Sequence, residues 1–175
     1  MDYRLREAGN ITHRHSDKLT GEHRTGDIGQ LTLFCLFMAV WISDMFLNYS
    51  SFLSEYMPVG VRLPIGFLLL IASGYLAITG LSIVFGKQEQ AEGVIKKGVF
   101  GFVRHPIYLS EIILYLGLLV LSTSLAAAFI WVIAMFFLHY ISRYEEQLLL
   151  AKFGKEYEDY MREVPMWFPR LYRNK

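Results

Sequence analysis

The chain has 175 residues, 54% of them hydrophobic and 15% aromatic, with a mean hydropathy of +0.33. That is too apolar for an ordinary soluble fold and makes the bilayer the natural solvent. Near-equal acid and base counts leave a net charge of +1, which gives no global field to attract nucleic acid, and the single cysteine excludes an intrachain disulfide.

Met1 to Asp27 is polar and mixed in charge, with no apolar run, and is expected to stay on the cytoplasmic side without acting as a secretory signal. His13, His15 and His23 lack a supporting Cys or Glu frame, so no metal site is expected and the segment is taken as a solvated tail without assigned function. Residues 28–175 are then one membrane domain. Ile28 to about Tyr49 is the first span, long enough for a hydrocarbon core of about 30 Å. Cys35 is expected to be a small packing residue there, and Asp44, near the far end, to have a structural or interfacial role.

Asn48 to Arg62, with Glu55, Pro58 and Gly60, predicts a polar connection, and Leu63 to Phe85 a second span. Ser73, Gly74, Thr79, Gly80 and Ser82 mark that span as an interior packing helix, because small residues let membrane helices approach closely. After a basic loop from Gly86 to Arg104, Ile107 to Leu121 and Leu125 to Ile141 predict a tight, re-entrant-like helical hairpin turning at Ser122, Thr123 and Ser124. The 142–175 segment should carry an amphipathic helix against the cytosolic surface, interrupted near Gly154 and ended by Pro165. The fold class is all-α, an integral membrane bundle of about four transmembrane helices. The distribution of Lys and Arg puts both termini on the cytoplasmic side.

The densest chemical signal is GVFGFVRHPIYLSE, Gly98 to Glu111, where Arg104 and His105 precede Pro106 at the start of a helix. Such an end presents free backbone N–H groups and partial positive charge, and suits a carboxylate or phosphate; interfacial anchoring is the alternative. The second signal is Glu145 and Glu146 just past the fourth span. In a hairpin these acids return to the start of the third span, so groups for an ammonium and for a carboxylate would stand together and match a zwitterionic amino-acid head group. A solvated helix face is the plain alternative.

RHPIY, then EE, FG, EY, DY and VPMWFP, in that order, resemble the C-terminal signature of the isoprenylcysteine carboxyl methyltransferase family and its prokaryotic relatives. The resemblance covers about Gly86 to Arg170, and the first two spans carry no motif of it. It implies an S-adenosylmethionine-dependent membrane methyltransferase acting on a lipophilic acceptor, with the cofactor in a cytosol-facing pocket. The contacts it implies fall on Glu92, Gly93, Val94, Ile95, Phe100, His105, Pro106, Ile107, Tyr108 and Glu145, with Arg104 and Glu146 beside them and Gln88 or Gln90 upstream. This chain departs from the family at two places. Ile141 stands where an acceptor-facing arginine is expected, leaving Arg143 and His139 as the nearest polar candidates, with Arg143 the candidate for acceptor orientation. Ser110 and Glu111 follow the HPxY turn, and Glu111 either faces the acceptor or pairs with Arg104 or Arg143.

Methyl transfer from a sulfonium is an in-line displacement in which orientation and a dry pocket matter most. Two other readings stay open. One is an NADPH-dependent membrane reductase resembling the C-terminal part of sterol reductases, which share an RHPxYLxE-like turn. The other is a non-catalytic membrane adaptor.

Overall fold

The computed structural model describes residue 26 and residues 28–51, 55–86 and 93–168. The N-terminal tail with its three histidines, and Gln88, Gln90 and Glu92, lie outside the described residues. Among the described residues five α-helices follow one another: α1 Ile28–Leu47, α2 Val59–Phe85, α3 Pro106–Ser122, α4 Leu125–Phe153 and α5 Lys155–Glu163, with a short 3-10 turn at Gly98–Gly101 before α3. Three are long and apolar enough to cross a membrane, and α3, with 17 residues, rises only about 25 Å. No strand occurs among the described residues. The molecule is a membrane helical bundle.

The second helix begins at Val59, four residues earlier than the hydropathy pattern suggests. Pro58 supplies the N-terminal carbonyl, accepting from the N–H groups of Val61 and Arg62 at 2.9 and 3.2 Å, so Gly60 and Arg62 enter the first turn instead of breaking it. Only one stripe of α2 is buried, Gly66, Ser73 and Gly80, spaced by seven residues. It lies antiparallel on α3: a Cβ at Gly66 would stand 2.5 Å from the Leu121 side chain, one at Gly80 2.9 Å from Ile107, and Ser73 Oγ donates to the Ser110 carbonyl at 2.7 Å. Much of α2, including Leu68, Ile71 and Ile78, faces outward, so it is a peripheral helix with one packing seam and not an interior one. A Cβ at Gly74 would meet nothing within 4 Å, and Thr79 and Ser82 donate to their own helix backbone.

Helix α1 inserts between α3 and α4. Phe37 stacks on Tyr115 with ring centroids 4.3 Å apart, Trp41 Nε1 donates to the Leu118 carbonyl at 3.0 Å, and Ala127 and Ala134 of α4 close the core. Cys35 is exposed on the outer side of α1, contrary to its expected packing role, because Phe37 and Trp41 mark the inward face. Asp44 has the structural role. It accepts from Ser50 N–H at 2.7 Å and from the Ser50 and Ser51 hydroxyls at 2.7 and 2.8 Å. Ser50 Oγ in turn accepts from Ala126 N–H at 3.0 Å, tying the exit of α1 to the start of α4.

The hairpin between α3 and α4 turns as expected at Ser122 to Ser124: Thr123 takes a φ of +56° and Ser124 Oγ caps α4 by accepting from Ala127 N–H. Helix α4, however, does not end at Ile141. It runs unbroken to Phe153, about 43 Å in 29 residues, so its last three turns stand beyond its apolar part. Gly154, at φ +56°, then breaks it in a conformation that L side chains rarely adopt, and α5 folds back. Val94, Leu149, Leu150, Phe153 and Met161 pack around buried Tyr157, Tyr160 and Val164 at this end of the bundle.

Candidate functional site

The start of α3, the extension of α4 and the segment after α5 converge. His105 is the residue before the first turn of α3, and Pro106 occupies that turn with its fixed φ and without an N–H to satisfy. Glu145 and Glu146 project from α4 toward them, and they separate rather than sharing one solvated face. Glu146 is 2% exposed, with Oε1 at 2.6 Å from Arg104 Nε and 3.3 Å from His105 Nε2. Glu145 is a quarter exposed; it accepts from the Tyr108 hydroxyl, and its Oε2 lies 3.8 Å from His105 Nδ1.

Burial alone would raise the Glu146 carboxyl pKa, but the His105 and Arg104 hydrogen bonds and their charge outweigh it and hold the group below the usual carboxylate range. Tyr160, in α5, is pushed up to about 12, chiefly by burial, and remains a neutral donor to the Phe100 carbonyl at 2.7 Å.

Arg104 was expected to present its charge to an anion. Its guanidinium instead forms a clasp: Nε on Glu146, Nη1 on the Met161 and Val164 carbonyls at 3.0 and 2.6 Å, while its backbone N–H donates to Pro165 at 3.0 Å. The segment after α5 is thereby fixed over the HPxY turn. There Trp167 Nε1 donates to His139 Nδ1 at 3.1 Å and its ring tilts over His105 at 6.0 Å, while His105 stacks on Tyr108 at 5.8 Å. Trp167 has no role in the sequence reading, although it lies within VPMWFP; the signal was an aromatic inside a Pro-flanked segment.

Of the remaining expected residues, Val94 donates its N–H to Glu156 at 3.2 Å, and the 93–95 segment is half-buried beside the aromatic cluster of α5. Phe100 is held through its carbonyl by Tyr160, and Ile107 packs toward Gly80 of α2, on a different side of α3 from His105. Arg143 is 61% exposed and reaches Glu146 Oε2 only at 3.9 Å. Glu111 pairs with neither arginine. It accepts from the Gln30 side-chain amide and the Tyr115 hydroxyl, because α1 and not the basic loop lies against that face of α3.

One observation bears on what the site can hold. Glu146 Oε2 and Ser142 Oγ, one helical turn apart on α4, are buried without a hydrogen-bond partner among the described residues. Buried acceptors of this kind are costly to leave unmatched. Beside them stands the N-terminus of α3, with its free N–H groups and partial positive charge. This donor and acceptor set fits a zwitterion. No group of three or more His, Cys, Asp or Glu suited to a metal occurs among the described residues.

The phospholipid methyltransferase family model matches residues 57–156, more than half of the chain and all of α2, α3 and α4. The match thus takes in the second span, where no motif is visible, and stops short of Trp167. The chain is 33% identical over 94 residues to the protein-S-isoprenylcysteine O-methyltransferase of Schizosaccharomyces pombe, covering 51% of this chain and 38% of that protein. It is 29% identical over 108 residues to the nickel-cobalt-cadmium resistance protein NccN of Alcaligenes xylosoxydans xylosoxydans, covering 58% of this chain and 51% of that protein. The matched region therefore spans about half or less of these curated relatives. With the family match running from α2 through both carboxylates of the site, the chain belongs to the phospholipid methyltransferase family.

Proposed function

We propose that this protein is a membrane methyltransferase that takes its methyl group from S-adenosylmethionine and delivers it to a lipophilic acceptor. The observation that carries this reading is the juxtaposition of Glu146 Oε2 and Ser142 Oγ, buried and without a hydrogen bond among the described residues, with the N-terminal end of α3. A family whose relatives include an O-methyltransferase supports the same reaction class.

S-adenosylmethionine, when bound, supplies an electrophilic methyl group on a sulfonium. Glu146 Oε2 and Ser142 Oγ would accept from its ammonium group, and the α3 N-terminus would meet its carboxylate. His105, Tyr108 and Trp167 offer ring faces to a cationic centre nearby. Arg104 positions rather than binds: it pairs with Glu146 Oε1 and holds the C-terminal segment in place. Val94 and Phe100, held against α5, would bound the adenosine side together with Ile95, with Gln88 and Glu92 proposed upstream. Arg143, exposed beside Glu146, is the proposed group for acceptor orientation or charge balance. The site faces the cytoplasm in this reading, because the basic loop before α3 and the charged extension of α4 meet at that end of the bundle.

The test is thermal stabilisation of the detergent-purified protein by S-adenosylhomocysteine, with NADPH in parallel. A ligand bound only by the folded state adds about 2.7 kcal/mol at 100 times its Kd. Stabilisation by the adenosyl ligand alone is expected. Stabilisation by NADPH alone transfers the assignment to a reductase, and no shift with either supports a non-catalytic adaptor.

A further inference from the structure

Four rings follow one another at the end of the bundle where α3 begins. Tyr108 and His105 have centroids 5.8 Å apart, His105 and Trp167 6.0 Å, and Trp167 and His139 6.2 Å. The array runs from the first turn of α3, where Tyr108 donates to Glu145, to exposed His139 on α4. Trp167 is the one ring of the four that comes from the segment after α5. It lies beyond residue 156, where the family match ends, so its role has to be read from its own contacts.

Those contacts hold the indole from two sides. Its Nε1 donates to His139 Nδ1 at 3.1 Å, which fixes the plane of the ring. Arg104 holds the backbone just before it, through Nη1 on the Val164 carbonyl at 2.6 Å and its own N–H on the Pro165 carbonyl at 3.0 Å. A ring placed by the protein itself loses little freedom when a ligand arrives. It tilts over His105, the residue that borders both the α3 N-terminus and Glu146. The polar groups there suit an ammonium and a carboxylate. S-adenosylmethionine carries a further cation, the sulfonium, which has no N–H or O–H to donate, so a conventional hydrogen bond does not recognise it. A cation of that kind is attracted to aromatic faces within about 6 Å of the ring centroid, and tryptophan offers the strongest.

We infer that Trp167 is the sulfonium-facing wall of the site, a specificity-determining residue through which this chain holds the charged methyl donor more tightly than its neutral product. The inference rests on the methyltransferase reading. Trp167 attracts the donor while its sulfur is charged. It loses that attraction once the methyl carbon has bonded to a lone pair of the acceptor, because sulfur keeps the electron pair of the broken bond and is then a neutral thioether. The product keeps its packing contact with the indole but not the charge attraction, which favours its exchange for fresh donor. His139 is a positioning residue, acting through the indole N–H that it accepts.

The experiment is calorimetric titration of the detergent-purified full chain with S-adenosylmethionine and with S-adenosylhomocysteine, no acceptor being added. The unaltered protein is expected to bind the sulfonium ligand about fivefold more tightly than the thioether, the scale of one cation–π contact. Trp167→Phe keeps a ratio above about two, and Trp167→Leu brings it to about one. Both ligands are titrated into one preparation, so a smaller folded fraction does not mimic the change. Glu145 and Glu146 remain in all of these proteins, so the field of the carboxylates does not account for it either. His139→Leu lowers the ratio, and His139→Gln, whose side-chain oxygen can again accept from the indole N–H, restores it. Equal affinity for the two ligands in the unaltered protein, or a ratio unchanged in Trp167→Leu, overturns the inference and leaves the methyltransferase reading standing. If neither adenosyl ligand binds the unaltered protein, that reading falls and the inference falls with it.

Discussion

Arg104 Nε lies 2.6 Å from Glu146 Oε1, and this buried pair joins the entrance of α3 to the extension of α4 across 42 positions of sequence. Because the same guanidinium holds the Met161 and Val164 carbonyls, one side chain fixes three segments around the site. Arg104→Met should therefore destabilise the detergent-solubilised protein by about 3 kcal/mol, since a buried charge left without its partner is costly. Adding Glu146→Leu should recover part of that loss, as apolar replacement of a whole buried pair often does. Thermal unfolding of the single and double variants checks both statements.

The same pair gives an acid limb to stability. Glu146 is held below its ordinary carboxylate range in the folded protein, so its contribution is complete above the unfolded-state pKa of about 4.3. It is lost as pH falls from there through the folded-state pKa. Melting temperatures measured from pH 7 downward should thus fall more steeply below about pH 4.5 in the unaltered protein than in Arg104→Met/Glu146→Leu.

At the opposite end of the bundle, Asp44 gathers Ser50 and Ser51 and through Ser50 reaches the first turn of α4. Asp44→Ala leaves those donors unmatched and should cost about 2 kcal/mol of stability. It should leave the affinity for S-adenosylhomocysteine unchanged, because among the described residues no hydrogen bond links this cluster to His105 or Glu146. Calorimetric titration alongside thermal unfolding separates the two effects.

Trp167 touches the site from the C-terminal segment, through His139 and the face of His105. Trp167→Leu should weaken S-adenosylhomocysteine binding about fivefold, the scale of a lost aromatic contact, while lowering stability by less than about 1 kcal/mol. Affinity and melting temperature measured on the same preparation distinguish a site contact from a structural one.

Much of this architecture is legible in the sequence because lipid imposes simple rules. Four apolar runs appear as helices near their expected places, and the small residues of the second run do form a seam. What composition could not give was which of those residues face α3. Gly66, Ser73 and Gly80 do so because they share one side of a helix, whereas Gly74 sits among them in sequence and a Cβ there would meet nothing within 4 Å. The length of α4 was also hidden. Charges after Ile141 mark where the chain leaves hydrocarbon, but only Gly154 has the backbone conformation that ends the helix.

The site was half legible for a related reason. His105, Tyr108, Glu145 and Glu146 converge as the hairpin geometry requires. The engagement of Arg104 by Glu146, and of Glu111 by Gln30, depends on pairings 42 and 81 residues apart, which no local pattern encodes. A charged residue near a helix start looks like a ligand group until the partner that neutralises it is in place.

The account turns on the buried acceptors of α4, and the most direct measurement is the Kd of S-adenosylhomocysteine for the unaltered protein and for Glu146→Gln and Ser142→Ala. Saturable binding is predicted, weakened at least tenfold in Glu146→Gln, where the ammonium loses a charged partner, and less in Ser142→Ala. Binding of equal strength in all three proteins, or binding of NADPH in its place, would contradict it.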